Sequence, residues 1–206
     1  LCLQESVVTG AADGYARMTG RPAATLLHLG PGLANGLSNL HNARKARSPV
    51  VNIVGEHSTR HLAHDAPLTA DIEAFARPVS GWIRTLDDPV NMGPSAAECV
   101  RAAMQPPGQV ATFIIPADHS WSAAGGPGET VEAPSRRMPP GSRIDHARQL
   151  LRGAEPVALL LGGSALSEQG LRAAEATGAR VFAVRYAGRI PRGRQWAFAQ
   201  RAPYFP

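Results

Sequence analysis

The chain reads as an α/β protein with a largely parallel sheet flanked by helices, followed by part of a second α/β domain. Three observations predict this. Short apolar runs at 23–29, 50–54 and 110–115 have strand character and alternate with helical stretches. Strands separated by helices return to the same edge and pair in parallel. A Gly-, Pro-, Ser- and Glu-rich stretch at 124–141 then interrupts the pattern before it resumes.

The first helix is expected over 2–18, with Leu3, Val7, Ala11 and Tyr15 recurring every four residues as its buried stripe. Gly20–Pro22 ends it, 23–29 forms a buried strand, and Gly30-Pro31-Gly32 supplies the turn into a small-residue helix at 33–43. Ser48-Pro49 breaks the chain before the strand 50–54. The polar, histidine-rich stretch 55–69 suits a loop at a strand end. Helices follow at 70–76 and 95–104, the latter after a turn at 85–94 and before the strand 110–115. The second domain is expected to contain helix 144–151, strand 157–161, helix 164–177 and strand 180–184. The expected divisions are 1–123, a linker at 124–141, and 142–206.

Composition narrows the function. At 206 residues and 44% hydrophobic content the chain can build ordinary cores. No apolar run reaches the roughly 20 residues that span a bilayer, and no export signal precedes Glu5, so no membrane partner and a cytoplasmic location are expected. Cys2 and Cys99 have neither metal-ligand spacing nor a disulfide framework. Residues 1–135 carry nine Lys/Arg against twelve Asp/Glu, while 136–206 carry twelve arginines against four acids. These arginines are scattered, with little aromatic interleaving, so a solvated face or subunit contact is expected rather than nucleic-acid binding.

Glu5 and His28 are the residues best suited to chemistry. Glu5 is surrounded by Ser, Thr, Gly and Ala, which leave room for a flat ligand beside a carboxylate able to exchange a proton with a ring nitrogen. His28 ends a strand where open α/β sheets place ligands, and the glycines after it allow close backbone approach. The segment is neither the dinucleotide fingerprint GxGxxG nor the phosphate loop GxxxxGK[ST]. Asn35, Asn39 and Asn42 follow and are candidates to line the turn. His57, His61 and His64, with Glu56 and Asp65, invite a metal reading, but their spacing is not HExxH, so no metal ligands are assigned. Asp13 and Arg17 stand i,i+4 and are expected to pair. Asp65 and Asp71 are expected to organise the loop and a helix start.

The segments QESVVTGAADGYARMTGRPA, LLHLGPGLANGLSNLHNARKARSPVVNIVGE and DAPLTADIEAFARPVSGWIR resemble the thiamine-diphosphate-dependent decarboxylase and carboligase family, above all acetolactate-synthase-like large subunits. The ordered EX7DGYAR pattern carries more of this than GPG does. The resemblance covers residues 1–122 as the pyrimidine-binding domain, lacking its usual start, and the chain from about 140 onward as part of the central domain. It implies that Glu5 stands beside the cofactor aminopyrimidine, favouring the imino tautomer that helps remove the thiazolium C2 proton. It further implies decarboxylation of a small 2-oxo acid, with release of an aldehyde or ligation to a second carbonyl.

The same resemblance assigns Gly30, Pro31, Gly32 and Asn35, with Glu5, to cofactor binding. His28 matches an active-site histidine of benzoylformate-decarboxylase-like members, which implies proton transfer or substrate orientation. Acetolactate synthases commonly carry a small hydroxyl residue there, and glutamine where Glu56 stands. In the family, the diphosphate and Mg2+ are held by a carboxyl-terminal domain whose GDG-to-asparagine segment does not occur here. The implied site lies between subunits of a homodimer or homotetramer, so this stretch alone is expected to be inactive. Some members hold FAD on the central domain; Gly162-Gly163 alone does not establish it. Alternatives are a benzoylformate-decarboxylase-like enzyme, an oxalyl-CoA decarboxylase, a hydroxyaldehyde carboligase, a 2-oxo-acid oxidase, a non-catalytic α/β binding or regulatory scaffold, or a nucleotide-binding α/β protein, which the missing phosphate motifs disfavour.

Overall fold

The computed structural model describes every residue except 133, 136, 154, 196, 205 and 206, so two positions of the expected linker lie outside the described residues. The chain divides into two units, Leu1–Pro134 and Ser135–Pro206.

In the first unit, α1 (Glu5–Thr19), β1 (Ala23–His28), α2 (Leu29–Ala46), β2 (Val50–Glu56), α3 (Ile72–Ala76), β3 (Trp82–Thr85), α4 (Met92–Met104), β4 (Val110–Pro116) and α5 (Ala117–Trp121) follow in order. The sheet order is β1-β2-β4-β3, parallel throughout. Central strands of such a sheet are covered on both faces, which is why VVNIV and VATFII read as largely apolar runs rather than alternating ones. One face packs Leu27, Val50, Val54, Val110 and Ile114 beneath α1, α2 and α3. The other packs Val51, Ala111 and Phe113 beneath α4, with Cys99 and Ala103. Glu98 of α4 accepts from Trp82 Nε1 at 3.3 Å and Arg84 Nη2 at 3.1 Å, tying α4 to the outer strand β3.

The expected stripe of α1 is reversed. Val7, Ala11 and Tyr15 are exposed, Leu3 precedes the helix, and Thr9, Ala12, Asp13 and Ala16 are buried instead. The cause is close packing on α2, which only small residues permit. A Cβ on Gly10 would lie 2.9 Å from Asn39 Nδ2, and one on Gly36 2.9 Å from Thr9 Cγ2. The helix also begins at Glu5 rather than residue 2, because the Gln4 side chain caps it by accepting from the Ser6 amide at 3.0 Å. Gly20, at φ 69, closes its other end.

Gly30-Pro31-Gly32 is not a turn but the first turn of α2, which starts directly after β1. The reversal falls on Leu29, a buried residue at φ 57, a region that costs side-chain-bearing residues energy. Pro31 is tolerated because the first helical turn has no intrahelical partner for its missing N–H. The edge strand β3 and short α5 were not anticipated: β3 has only four residues, and α5 follows β4 without a loop. Within 124–141, the first part is packed rather than free-standing. Added Cβ atoms on Gly125 and Gly128 would lie 2.4 Å from the Val90 carbonyl and 2.2 Å from the Gly93 carbonyl.

The second unit contains α6 (Gly141–Arg152), β5 (Ala158–Leu161), α7 (Glu168–Glu175), β6 (Arg180–Ala183) and β7 (Gln200–Arg201), with a parallel sheet β5-β6-β7. Its core is small: Leu166, Leu171, Ala183 and Ala199. The expected helix 164–177 divides into a 3-10 turn at Gly163–Leu166 and α7, because Ser167 caps α7 by accepting from the Gly170 amide at 3.2 Å.

Candidate active site

Parallel pairing brings the carboxyl ends of the strands to one edge, with His28 opposite Gly55 and Glu56 opposite Pro116. That edge is where open α/β sheets bind ligands. α1 and α2 pack closely against each other beside it. Glu5, half-buried in the first turn of α1, accepts from Asn35 Nδ2 of α2 at 3.2 Å through Oε2. Its position also suits the positive end of the helix dipole. A Cβ on Gly32 would stand 3.7 Å from Glu5 Oε1 and 3.5 Å from His28 Cβ. Glu5, His28, Gly32 and Asn35 therefore meet around one glycine.

Gly30 faces elsewhere. A Cβ there would sit 2.3 Å from Ala70 Cβ, so its missing side chain makes room for the segment entering α3. Asn39 donates to the Ser6 carbonyl at 2.7 Å, and Asn42 donates to Asn39 Oδ1 at 3.3 Å. Both asparagines support the α1–α2 contact rather than lining a turn. Asp13 pairs with Arg17 at 2.6 Å and also accepts from Ser48 Oγ at 2.5 Å, which pins the far end of α2 to α1. Asp71 caps α3 by accepting from the Ala74 amide at 2.8 Å.

Glu56 is buried at the end of β2 and accepts from the His57 amide at 2.6 Å. His61 and His64 are exposed around a 3-10 turn. Among the described residues, no three histidine, cysteine or carboxylate side chains converge on a point where a metal could sit. No described helix is long and apolar enough to cross a membrane.

Two polar features went unrecognised in the sequence. Thr25 Oγ1 donates to Asn52 Oδ1 at 2.7 Å and Asn52 Nδ2 to Thr112 Oγ1 at 3.1 Å, while Thr112 shares a hydrogen bond with Ser80 at 2.7 Å. The signal was a polar residue inside each of three otherwise apolar strands. Thr59 donates to Asp118 through its amide at 3.0 Å and its hydroxyl at 2.5 Å, lacing the loop after β2 to α5. Nothing in the sequence marked that pair, 59 residues apart.

This arrangement, a parallel sheet with a carboxylate held by two small-residue helices, defines a cofactor-binding α/β domain. Residues 1–75 match the family model described as thiamine pyrophosphate enzyme, N-terminal TPP binding domain. The chain is 47% identical over 214 aligned residues to the "Putative acetolactate synthase large subunit IlvX" of Mycobacterium tuberculosis, covering all of this chain and 40% of that protein. It is 28% identical over 164 residues to a benzoylformate decarboxylase of Pseudomonas aeruginosa, covering 78% of this chain and 28% of that protein. The X-ray structure of "a putative thiamin diphosphate-dependent enzyme isolated from Mycobacterium smegmatis" superposes with TM-score 0.81 at 27% identity, covering 88% of this chain and 36% of that one.

The chain thus carries a thiamine pyrophosphate enzyme N-terminal domain and is a homologue of acetolactate-synthase-like large subunits. It spans about two fifths of the length of the M. tuberculosis relative.

Proposed function

We propose that the chain is the pyrimidine-binding part of a thiamine-diphosphate-dependent enzyme that decarboxylates a 2-oxo acid and ligates the product fragment to a second carbonyl, as acetolactate synthases do. The observation that carries this is the Glu5 carboxylate, fixed by Asn35 on one oxygen and with the other beside Gly32. These residues fit an aminopyrimidine: a side-chain-free edge admits a flat ring, and a held carboxylate meets its nitrogen. When bound, the cofactor supplies that ring and an electron sink for cleaving a carbon–carbon bond.

With the cofactor bound, Glu5 would hold a proton at the ring nitrogen, the acid–base role its fixed carboxylate suits. Asn35 keeps the carboxylate in place, Gly32 grants access, and Gly30 and Pro31 set the backbone of the first turn of α2. His28 orients the 2-oxo acid or moves a proton at its reacting carbon. The diphosphate and Mg2+ are assigned to residues outside this chain. On this reading residues 1–123 are the pyrimidine-binding domain and 142–206 part of the central domain, in a homodimer or homotetramer. Cys2 and Cys99 are free thiols, in keeping with a cytoplasmic enzyme.

The test is Glu5→Gln in the full-length enzyme, read by exchange of the cofactor C2 proton for deuterium. A loss of at least ~100-fold is expected, the lower range for removing a positioned acid–base group. Unchanged exchange with cofactor still bound overturns the role. A second reading, decarboxylation to an aldehyde without ligation, is favoured by His28 at the strand end. Product analysis separates aldehyde from acetohydroxy acid. A non-catalytic scaffold would show no calorimetric binding of thiamine diphosphate with Mg2+ to the full-length oligomer.

A further inference from the structure

Glu5 is held lightly by its own side-chain contacts. One oxygen accepts from Asn35 Nδ2 at 3.2 Å, and the preceding Gln4 is exposed. Its place is therefore set by how α1 lies on α2. Both helices begin at the site: Glu5 meets Asn35 near their starts, and Arg17 Nη2 reaches the Asn42 carbonyl at 3.4 Å near their ends. Between these points the helices come closest at Thr9 and Gly36, where a Cβ on Gly36 would stand 2.9 Å from Thr9 Cγ2. A single close contact of this kind acts as a pivot. Directional bonds away from the pivot are what fix the angle.

Such bonds converge on Asp13. Its buried carboxylate accepts from Arg17 Nε at 2.8 Å, from Arg17 Nη2 at 2.6 Å and from Ser48 Oγ at 2.5 Å. Ser48 lies between the α2 cap, Arg47, and the start of β2 at Val50, so the carboxylate ties α1 to the junction of α2 and the sheet. Bidentate, charge-assisted hydrogen bonds are roughly twice as strong as neutral ones and tolerate little misalignment. Thr9 stands midway between Glu5 and Asp13, four residues from each. That is about 6 Å along the helix axis in either direction. A swing of about 10° at Thr9 therefore carries Glu5 roughly 1 Å, a misplacement that costs on the order of 100-fold at a reacting group.

We propose that Asp13, Arg17 and Ser48 are positioning residues: they fix the angle of α1 on α2 and, through it, the Glu5 carboxylate. This rests on the proton-holding role of Glu5 proposed above and extends it to residues remote from the chemistry. It also gives the EX7DGYAR spacing a physical meaning, since carboxylate, pivot and clamp fall on one rigid helix.

Ser48→Ala isolates the effect, because the Asp13–Arg17 pair survives and no charge is left unpaired. In the full-length enzyme it is expected to slow exchange of the cofactor C2 proton at least ~10-fold, with calorimetric affinity for thiamine diphosphate and Mg2+ retained. Arg17→Lys, which loses the bidentate contact but keeps the charge, is expected to act in the same direction. On a Glu5→Gln background Ser48→Ala is expected to cause no further loss, because a clamp acting through Glu5 has nothing left to position. Where Glu5→Gln slows exchange, undiminished exchange in Ser48→Ala overturns the proposal. So does an equal further loss on the Glu5→Gln background, which general loosening of the fold would give. The geometry has its own readout in this chain: the Asn35 side-chain NH2 signals in NMR spectra, identified by their loss in Asn35→Ala. Ser48→Ala is expected to shift them, and unmoved signals overturn the proposal. If they move while Glu5→Gln leaves C2 exchange unchanged, the proton-holding role fails and the clamp stands.

Discussion

Thr9 and Gly36 hold α1 and α2 at a separation only glycine allows. Thr9 Oγ1 donates to the Gly36 carbonyl at 3.1 Å, while a Cβ on Gly36 would come within 2.9 Å of Thr9 Cγ2. This contact positions the Glu5–Asn35 pair, because Glu5 lies one helical turn before Thr9, and Asn35 immediately precedes Gly36. Gly36→Ala is expected to destabilise the first unit by about 1–3 kcal/mol, the usual cost of overpacking, despite alanine's better helix propensity. Urea denaturation measures it. A stabilised variant would show that the helices can part without cost.

The buried Thr25–Asn52–Thr112 row makes a second prediction. Asn52 is fully buried and uses both ends of its amide. Asn52→Leu keeps the branching and heavy-atom number of the side chain but strands the Thr25 hydroxyl, so a loss of about 2 kcal/mol is expected, within the range for an unsatisfied buried polar group. Adding Thr25→Val should recover much of it, since removing both partners leaves nothing unpaired. Thr112 keeps Ser80 in either case. A double variant no more stable than Asn52→Leu would contradict this account.

The row also shows what the sequence concealed. The apolar runs of β2 and β4 were legible because strands covered on both faces must be apolar, and their order with the helices implied parallel pairing. The proposed Glu5–His28 site rests on its motif and on small residues that leave space. The orientation of α1 was not. Periodicity favoured Leu3, Val7, Ala11 and Tyr15, yet close helix packing selects small residues, so Thr9, Ala12, Asp13 and Ala16 form the buried face. Likewise GPG suggested a turn, whereas Leu29 takes the left-handed conformation that begins α2. Both misreadings assigned a conformational role from residue type where tertiary contact decided it.

The Thr59–Asp118 tie is expected to respond to acid. The Thr59 hydroxyl and amide hydrogen bonds hold the Asp118 carboxyl below its ordinary value of 3.8. A carboxylate with a depressed folded pKa contributes stability above its unfolded pKa and loses it as pH falls through the folded one. The tie should therefore persist at pH 5 and fade below roughly pH 4. Hydrogen exchange at the Thr59 amide, normalised for intrinsic rate, checks this. Asp118→Asn should speed exchange at pH 6 and flatten the acid dependence; identical protection in the variant would remove any role for the charge.

Cys99 gives the opposite sign at high pH. It is buried against β4, its Sγ 3.7 Å from the Ala111 carbonyl, while Cys2 is exposed. Burial, with a smaller contribution from the Glu98 charge, pushes the Cys99 thiol up to about 12 from 9.0. The thiolate is the reactive form, so Cys2 alone should react with a thiol reagent at pH 8 in the folded chain, and both cysteines after denaturation. A group whose folded pKa is raised contributes stability that is fully present below its unfolded pKa and lost as pH rises through its folded one. The chain should therefore lose stability between pH 9 and 12, because the unfolded thiol ionises first. Cys99→Ala should reduce that slope relative to the parent chain, measured as urea midpoints from pH 8 to 10.5. An equal slope in both would mean that Cys99 ionises as readily inside the fold as outside it.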